Sequence, residues 1–100
     1  MVELPAVVWN LQASRAFRGY YERIREESPQ NARQVQQGIT KLIDQLPENP
    51  ERYPLDKYKQ NNPGNYRAFE KYSLRIAYQH SEKEIRILRV RHVKQKPKSY

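Results

Sequence analysis

The sequence of 100 residues contains no cysteine, only three glycines and no apolar run long enough to cross a membrane. The lack of cysteine excludes a disulfide framework and a thiolate metal site. A transmembrane helix needs about 20 largely apolar residues, so none is expected. Neither the dinucleotide-binding nor the P-loop glycine motif is present. Because the two histidines, His80 and His92, have no acidic cluster beside them, we expect no metal and no cofactor.

The N-terminus does not look like a targeting signal. Residues 2–9 are few, include Glu3 and lack a basic start, which is unlike a signal peptide. We therefore expect a cytoplasmic protein with no membrane partner. A chain of this length forms one domain, residues 1–100. Eight tyrosines favour a folded domain despite a mean hydropathy of -1.09, because the tyrosine ring packs well at half-buried positions.

Positive charge is concentrated in the last third of the chain. Residues 1–65 carry nine Lys/Arg and eight Asp/Glu, whereas residues 66–100 carry ten Lys/Arg and only three Asp/Glu. Such asymmetry indicates a nucleic acid or an acidic protein segment as partner. A solvated tail that only aids solubility is the structural alternative.

The first half of the chain predicts a strand followed by two helices. Residues 4–9 form a short apolar run typical of a strand. From Leu11 to about Glu27, apolar residues recur at spacings of three and four, which predicts an amphipathic helix. Ser28-Pro29 is a typical helix start, and Pro47 ends the second apolar stripe. Two such helices with a short link predict an antiparallel hairpin.

The second half predicts three strands after a loop. Residues 47–64 contain four prolines and a turn signal at 61–64, so they are interpreted as loop. A period of two then predicts strands over 66–71, 74–79 and 85–90, and residues 93–100 form a basic tail. The predicted fold is α+β: an antiparallel sheet covered on one face by the helix hairpin, in the order β-α-α-β-β-β. The first strand is expected to lie beside the last.

The candidate functional residues are bases and a phenol from the strands and the tail. Guanidinium groups bind phosphate, histidine transfers protons near neutral pH, and a tyrosine ring can stack on a base. These groups are suited to metal-free RNA cleavage or to polyanion binding. They are Arg67, Arg75, Arg86, Arg89, Arg91, His92, Lys94, Lys96 and Tyr100.

Two strand registers remain open from the sequence. If Arg75 lies opposite Arg89, the residues Arg75, Arg89 and Arg91 share the exposed face. If Arg75 lies opposite Leu88, it shares a face with Arg86 and His92 instead. Only the second register places a histidine beside Arg75, as acid–base catalysis requires.

Five segments in order resemble the RelE/ParE superfamily of toxins from bacterial type II toxin–antitoxin systems. The resemblance covers nearly the whole chain, and its strand order matches the predicted one. It implies a growth-inhibiting toxin neutralised by a cognate antitoxin, whose acidic segment docks on the basic surface. Operator DNA would be bound only through the antitoxin. The segments are Val7–Trp9 followed by Ala13, then Leu46–Pro50, Asn65–Phe69, Leu74–Tyr78 and Ile87–His92.

The resemblance implies two alternative targets. RelE-like members cleave mRNA on the ribosome, whereas ParE-like members inhibit DNA gyrase. We favour the ribosome-dependent, metal-independent endoribonuclease, with gyrase inhibition as the alternative; a non-toxic binding module is a third possibility. Phe69-Glu70 departs from RelE, which has a second lysine there.

The resemblance also implies roles for the candidates. Arg75, His92 and Tyr100 are expected to be catalytic, with Arg75 matching an arginine that stabilises the phosphate in RelE-like enzymes. The expected substrate-binding residues are Arg67, Arg86, Arg89, Arg91, Lys94 and Lys96.

Overall fold

The computed structural model describes residues 3–100 and contains two helices and four strands. The predicted order of elements is confirmed. The first strand is shorter than the predicted 4–9, because Pro5 has no N–H for a ladder hydrogen bond. The elements are β1 (Ala6–Trp9), α1 (Leu11–Glu27), α2 (Pro29–Asp44), a short 3₁₀ turn (Leu46–Glu48), β2 (Tyr66–Lys71), β3 (Leu74–His80) and β4 (Glu84–His92).

The helix hairpin forms as the sequence predicted. The Ser28 hydroxyl accepts a hydrogen bond of 3.2 Å from the Asn31 N–H, which caps α2, and Pro29 occupies the first turn. The buried residues of the hairpin, among them Ala13 on α1 with Ile39 and Ile43 on α2, face the sheet. Burial of this stripe stabilises the two helices against the sheet.

The sheet has the strand order β1-β4-β3-β2. Strands β2, β3 and β4 are antiparallel, and β1 lies beside β4, as expected. Because β1 runs parallel to β4, the sheet as a whole is mixed. The α+β architecture with one helix-covered face is confirmed.

Neither predicted register of β3 against β4 is correct. Arg75 lies opposite Arg91, and Leu74 lies opposite His92. The register shifts between Ala77 and Tyr78, so Leu88 on β4 is left without a partner. This bulge explains why period-two reasoning failed, since one extra residue exchanges the faces of every position on one side of it.

The core lies between the helices and one face of the sheet. Leu74, Ile76 and Tyr78 of β3 are almost fully buried there, together with Ile85 and Ile87 of β4. The other face has no helix; Asp56 and Tyr58 of the long loop and Lys98 and Tyr100 of the tail lie across part of it. No helix within residues 3–100 is both long and apolar enough to span a membrane.

Candidate functional site

Four arginines project from the sheet face that the helices leave uncovered. We call this set the arginine face. Because the bulge changes the phase of β4, residues from both predicted registers meet on this face. Its members are Arg75, Arg86, Arg89 and Arg91.

Arg75 is held by two carboxylates. Its Nη2 donates to Asp56 Oδ1 at 2.8 Å, and its Nη1 donates to Glu70 Oε2 at 2.9 Å. The Tyr58 ring covers the guanidinium, with 4.8 Å between Cζ and the ring centroid. Only 11% of the Arg75 side chain is exposed. A guanidinium held by two ion pairs and an aromatic ring has few donors left for a phosphate.

Asp56 is the centre of a buried hydrogen-bond network. Its Oδ2 accepts from the Tyr100 hydroxyl at 2.7 Å, and its Oδ1 also accepts from the Tyr58 N–H at 3.0 Å. Burial would raise the pKa of Asp56, but the hydrogen bonds from Tyr100 and Arg75 hold this pKa below its ordinary value of 3.8. Burial likewise opposes the charge on Arg75, while Asp56 and Glu70 raise its pKa. Both groups therefore stay ionised.

Tyr100 attaches the tail to this network. Its backbone N–H donates to Tyr58 O at 3.0 Å, and its ring lies under Arg89 with 4.6 Å from Cζ to the centroid. Burial and the bond to Asp56 raise the pKa of the Tyr100 hydroxyl. A phenol with a raised pKa that already donates to a carboxylate is poorly placed to act as a general base.

The cleft beside the Arg75 guanidinium is very small. A cleft of only about 10 Å³ lies between Asp56, Tyr58, Arg75, Arg89 and Arg91. That volume is close to the minimum for one water molecule. In this conformation, that cleft has no room for a nucleotide.

His92 is not part of the arginine face. It lies opposite Leu74, so its side chain is on the helix-covered side, and its backbone N–H donates to the Tyr20 hydroxyl at 3.0 Å. The His92 Nδ1 accepts from the Lys94 N–H at 3.1 Å. The predicted grouping of Arg75 with His92 is therefore wrong.

Arg67 is also on the helix-covered side, where it holds the long loop. It donates to Tyr53 O at 2.8 Å and to His80 Nε2 at 3.2 Å. Burial and the nearby Arg67 charge lower the pKa of His80. Through these contacts Arg67 holds the loop against the sheet, and it lies away from Arg75.

The remaining predicted residues differ in their hydrogen-bond partners and in their exposure. Arg86 donates to Glu84 at 2.8 Å and to Asn10 Oδ1 at 3.0 Å, and Arg89 donates to Lys98 O at 2.8 Å. Arg91 donates to Gln95 O at 3.2 Å. Lys94 and Lys96 are exposed on the tail.

Sequence reasoning missed Asp56, which organises this site. Within residues 52–65 it is the only acidic residue, between prolines and tyrosines of an irregular loop. A single acidic residue in such a loop was the sequence signal that could have identified Asp56. The contact of the Tyr58 ring with Arg75 was not foreseen either. No group of three or more histidine, aspartate or glutamate residues within 3–100 is arranged to hold a metal ion.

Comparison with known proteins identifies the family. Residues 7–97 match the model of the ParE toxin of the type II toxin–antitoxin system parDE. The chain belongs to the ParE toxin family. It is therefore a toxin of the type II toxin–antitoxin class within the RelE/ParE superfamily. A search of curated proteins gave no significant match.

Two solved structures share the fold. A chain of the chromosomal ParDE system from P. aeruginosa superposes with a TM-score of 0.68 at 18% identity, covering 89% of this chain and 96% of that one. The YoeB dimer from Staphylococcus aureus gives a TM-score of 0.55 at 14% identity, covering 90% and 98%. At these identities the likeness concerns the fold alone.

Proposed function

We propose that this toxin inhibits growth by binding a protein, DNA gyrase, and that it does not cleave RNA. The observation that carries the proposal is the paired state of the Arg75 guanidinium, together with the small cleft beside it. Arg75 is paired with Asp56 and Glu70, and the adjoining cleft of about 10 Å³ cannot admit a nucleotide. The match of residues 7–97 to the ParE family supports the gyrase-inhibiting branch of the superfamily.

The chemistry of phosphate cleavage gives further support. General acid–base catalysis needs a proton-transfer group within hydrogen-bond reach of the reacting atoms. Within residues 3–100, both histidines lie on the helix-covered side of the sheet, away from Arg75. The Tyr100 hydroxyl donates a hydrogen bond to Asp56 and has a raised pKa, so it holds its own proton. The expected catalytic set of Arg75, His92 and Tyr100 is thus not assembled around one substrate position.

A second candidate is the RelE-like ribosome-dependent ribonuclease. The observation that favours it is the arginine face itself, where three guanidinium groups lie close to one cleft. Those groups would bind RNA phosphates if Asp56 and the tail moved away. This activity therefore needs a rearrangement on the ribosome that gyrase inhibition does not.

We further propose that the antitoxin docks on the arginine face. Arg89 and Arg91 make hydrogen bonds only to carbonyl oxygens, so their charges are balanced less than that of Arg75. An acidic antitoxin segment would complement them. The lysines of the neighbouring tail extend the same positive field.

Expression of the toxin alone, followed by separate pulse-labelling of DNA and protein synthesis, tests the choice of target. We expect DNA synthesis to stop first and protein synthesis to continue until later. Co-expressed antitoxin should restore both. Protein synthesis that stops first, with cleaved mRNA, would support the ribonuclease and contradict gyrase inhibition.

A further inference from the structure

The turn between β2 and β3 adopts an unfavourable backbone conformation. Its two central residues, Tyr72 and Ser73, have φ values of 53° and 65°. Both therefore lie in the left-handed region, as a type I′ hairpin turn requires, and Asn-Gly is the usual sequence there. Residues other than glycine, asparagine and aspartate are strained in this region, and such strain concentrates at functional sites.

A second unfavourable residue makes room for the same side chain. Gly38 lies within α2, where glycine weakens a helix relative to alanine. A Cβ at this position would be 2.5 Å from Cε2 and 2.7 Å from the hydroxyl of Tyr72. The missing side chain of Gly38 therefore allows the Tyr72 ring to lie on α2. A strained turn and a helical glycine together place one aromatic ring.

That ring is not used to fill the core. Tyr72 remains 39% exposed, and Lys71 Nζ lies 5.1 Å from its centroid. Exposed tyrosines with a fixed position are typical centres of protein interfaces, because the ring offers a large contact area with little loss of conformational entropy.

The surroundings of Tyr72 indicate the chemistry of a partner. A groove of about 600 Å³ lies between its ring and α2. Among residues 3–100, the side chains that line it are cationic or amide-bearing, and none is a carboxylate. They are Gln30, Arg33, Gln34, Gln37 and Lys41.

We propose that this Tyr72 surface, formed by Tyr72 with those five α2 residues, binds an acidic segment of the toxin's target protein. The inference rests on the proposed function, in which the target is a protein. The Tyr72 surface is separate from the arginine face, because Tyr72 contacts α2 on the helix-covered side. The arginine face would then bind the antitoxin, and the Tyr72 surface would bind the target.

The test uses the full-length toxin and the double variant Tyr72→Asn/Ser73→Gly. This variant keeps the turn type but removes the ring. We expect Tm to rise by roughly 5 °C as strain is relieved. Inhibition of gyrase supercoiling should weaken at least about tenfold, as for loss of an interface aromatic. Antitoxin affinity should stay within about twofold. The matched control is Ser73→Gly alone, which retains the ring and should retain inhibition.

A second test reverses two charges on α2 and does not depend on the turn. Arg33→Glu/Lys41→Glu should also weaken inhibition about tenfold or more, because it reverses the charge offered to an acidic segment. Lys83→Glu, at the exposed turn between β3 and β4, is the control and should have little effect.

Each other outcome contradicts the proposal. Wild-type inhibition by the stabilised double variant would show that Tyr72 is not a contact, and a tenfold loss of antitoxin affinity would assign the surface to the antitoxin. If the wild-type toxin does not inhibit gyrase, the proposed function fails separately. Growth arrest in cells then tests the surface: loss of toxicity only in the Tyr72 and charge-reversal variants supports it, and retained toxicity overturns it.

Discussion

At the scale of single residues, Asp56 determines the state of the site. It binds Arg75 and Tyr100 at once, so one carboxylate joins the long loop, the sheet and the tail. Buried ion pairs contribute little net stability relative to apolar residues, but removal of one partner leaves a charge without compensation. Asp56 therefore constrains the conformation of Arg75 more than it adds to the stability of the fold.

Asp56→Asn should destabilise the protein by about 3 kcal/mol at neutral pH, since Arg75 then loses its buried counter-charge. Urea unfolding measures this free energy. Glu70→Gln is the matched control, because Glu70 pairs with the same guanidinium but its side chain is 51% exposed. We expect the control to change the free energy of unfolding by less than about 1 kcal/mol. Equal effects of the two variants would contradict the central role of Asp56.

The difference in the free energy of unfolding between wild type and Asp56→Asn should also depend on pH. The pKa of Asp56 is lowered by folding, so its contribution is fully present above the ordinary value of 3.8 and is lost as pH falls through the folded pKa. The difference between wild type and Asp56→Asn should therefore be constant from about pH 7 to about pH 5 and shrink below about pH 4. A difference that does not change with pH would show that Asp56 does not act through its charge.

At the scale of elements, the Tyr72 ring of the β2–β3 turn packs against Gly38 of α2. The side chain at each of these two positions therefore restricts the other. Gly38→Ala should be more favourable by at least about 1 kcal/mol in a Tyr72→Ala background than in wild type, because the clash with the ring is then absent. Unfolding of the four proteins of this cycle measures the coupling. Gly19→Ala on α1 is the control, since nothing lies within 4 Å of its Cβ position. It should stabilise both backgrounds by about 0.5–1 kcal/mol. Equal effects of Gly38→Ala in both backgrounds would exclude the contact.

The elements themselves were predictable because their signals are local. Ser28-Pro29 marks a helix boundary by capping and by a fixed φ, and the apolar spacing of three to four defines both helices. The sheet register was not predicted, because the change of apolar parity at Ile87-Leu88 fits both a bulge and a strand buried on both faces. The Asp56 contact depends on how an irregular loop returns to the sheet, which periodicity does not describe. The candidate arginines were thus identified, but their partners were not.

At the scale of the whole molecule, positive charge is distributed over two separate surfaces. Four strand arginines and three tail lysines of the last third of the chain supply charge on and around the arginine face. Arg33 and Lys41 of the Tyr72 surface come from α2 instead. One basic chain can therefore offer two acidic partners different sites.

The proposed antitoxin site makes a prediction at this scale. Arg89→Glu/Arg91→Glu should weaken antitoxin binding at least about tenfold, and the affinity should depend less on salt. Calorimetric titration at two salt concentrations measures both effects. Arg33→Glu/Lys41→Glu, on the other surface, is the control with the same change in net charge, and it should bind the antitoxin as wild type does. Equal losses in the two variants would mean that antitoxin binding follows net charge and not the arginine face.

The central claim is that the toxin acts on a protein while Arg75 stays paired with Asp56 and Glu70. The most direct measurement is supercoiling of relaxed plasmid by purified gyrase, with increasing amounts of toxin and then antitoxin. We predict that supercoiling stops when the toxin is in modest excess over gyrase and resumes when antitoxin is added. Full supercoiling at saturating toxin, together with mRNA cleavage on purified ribosomes by the same preparation, would contradict the claim.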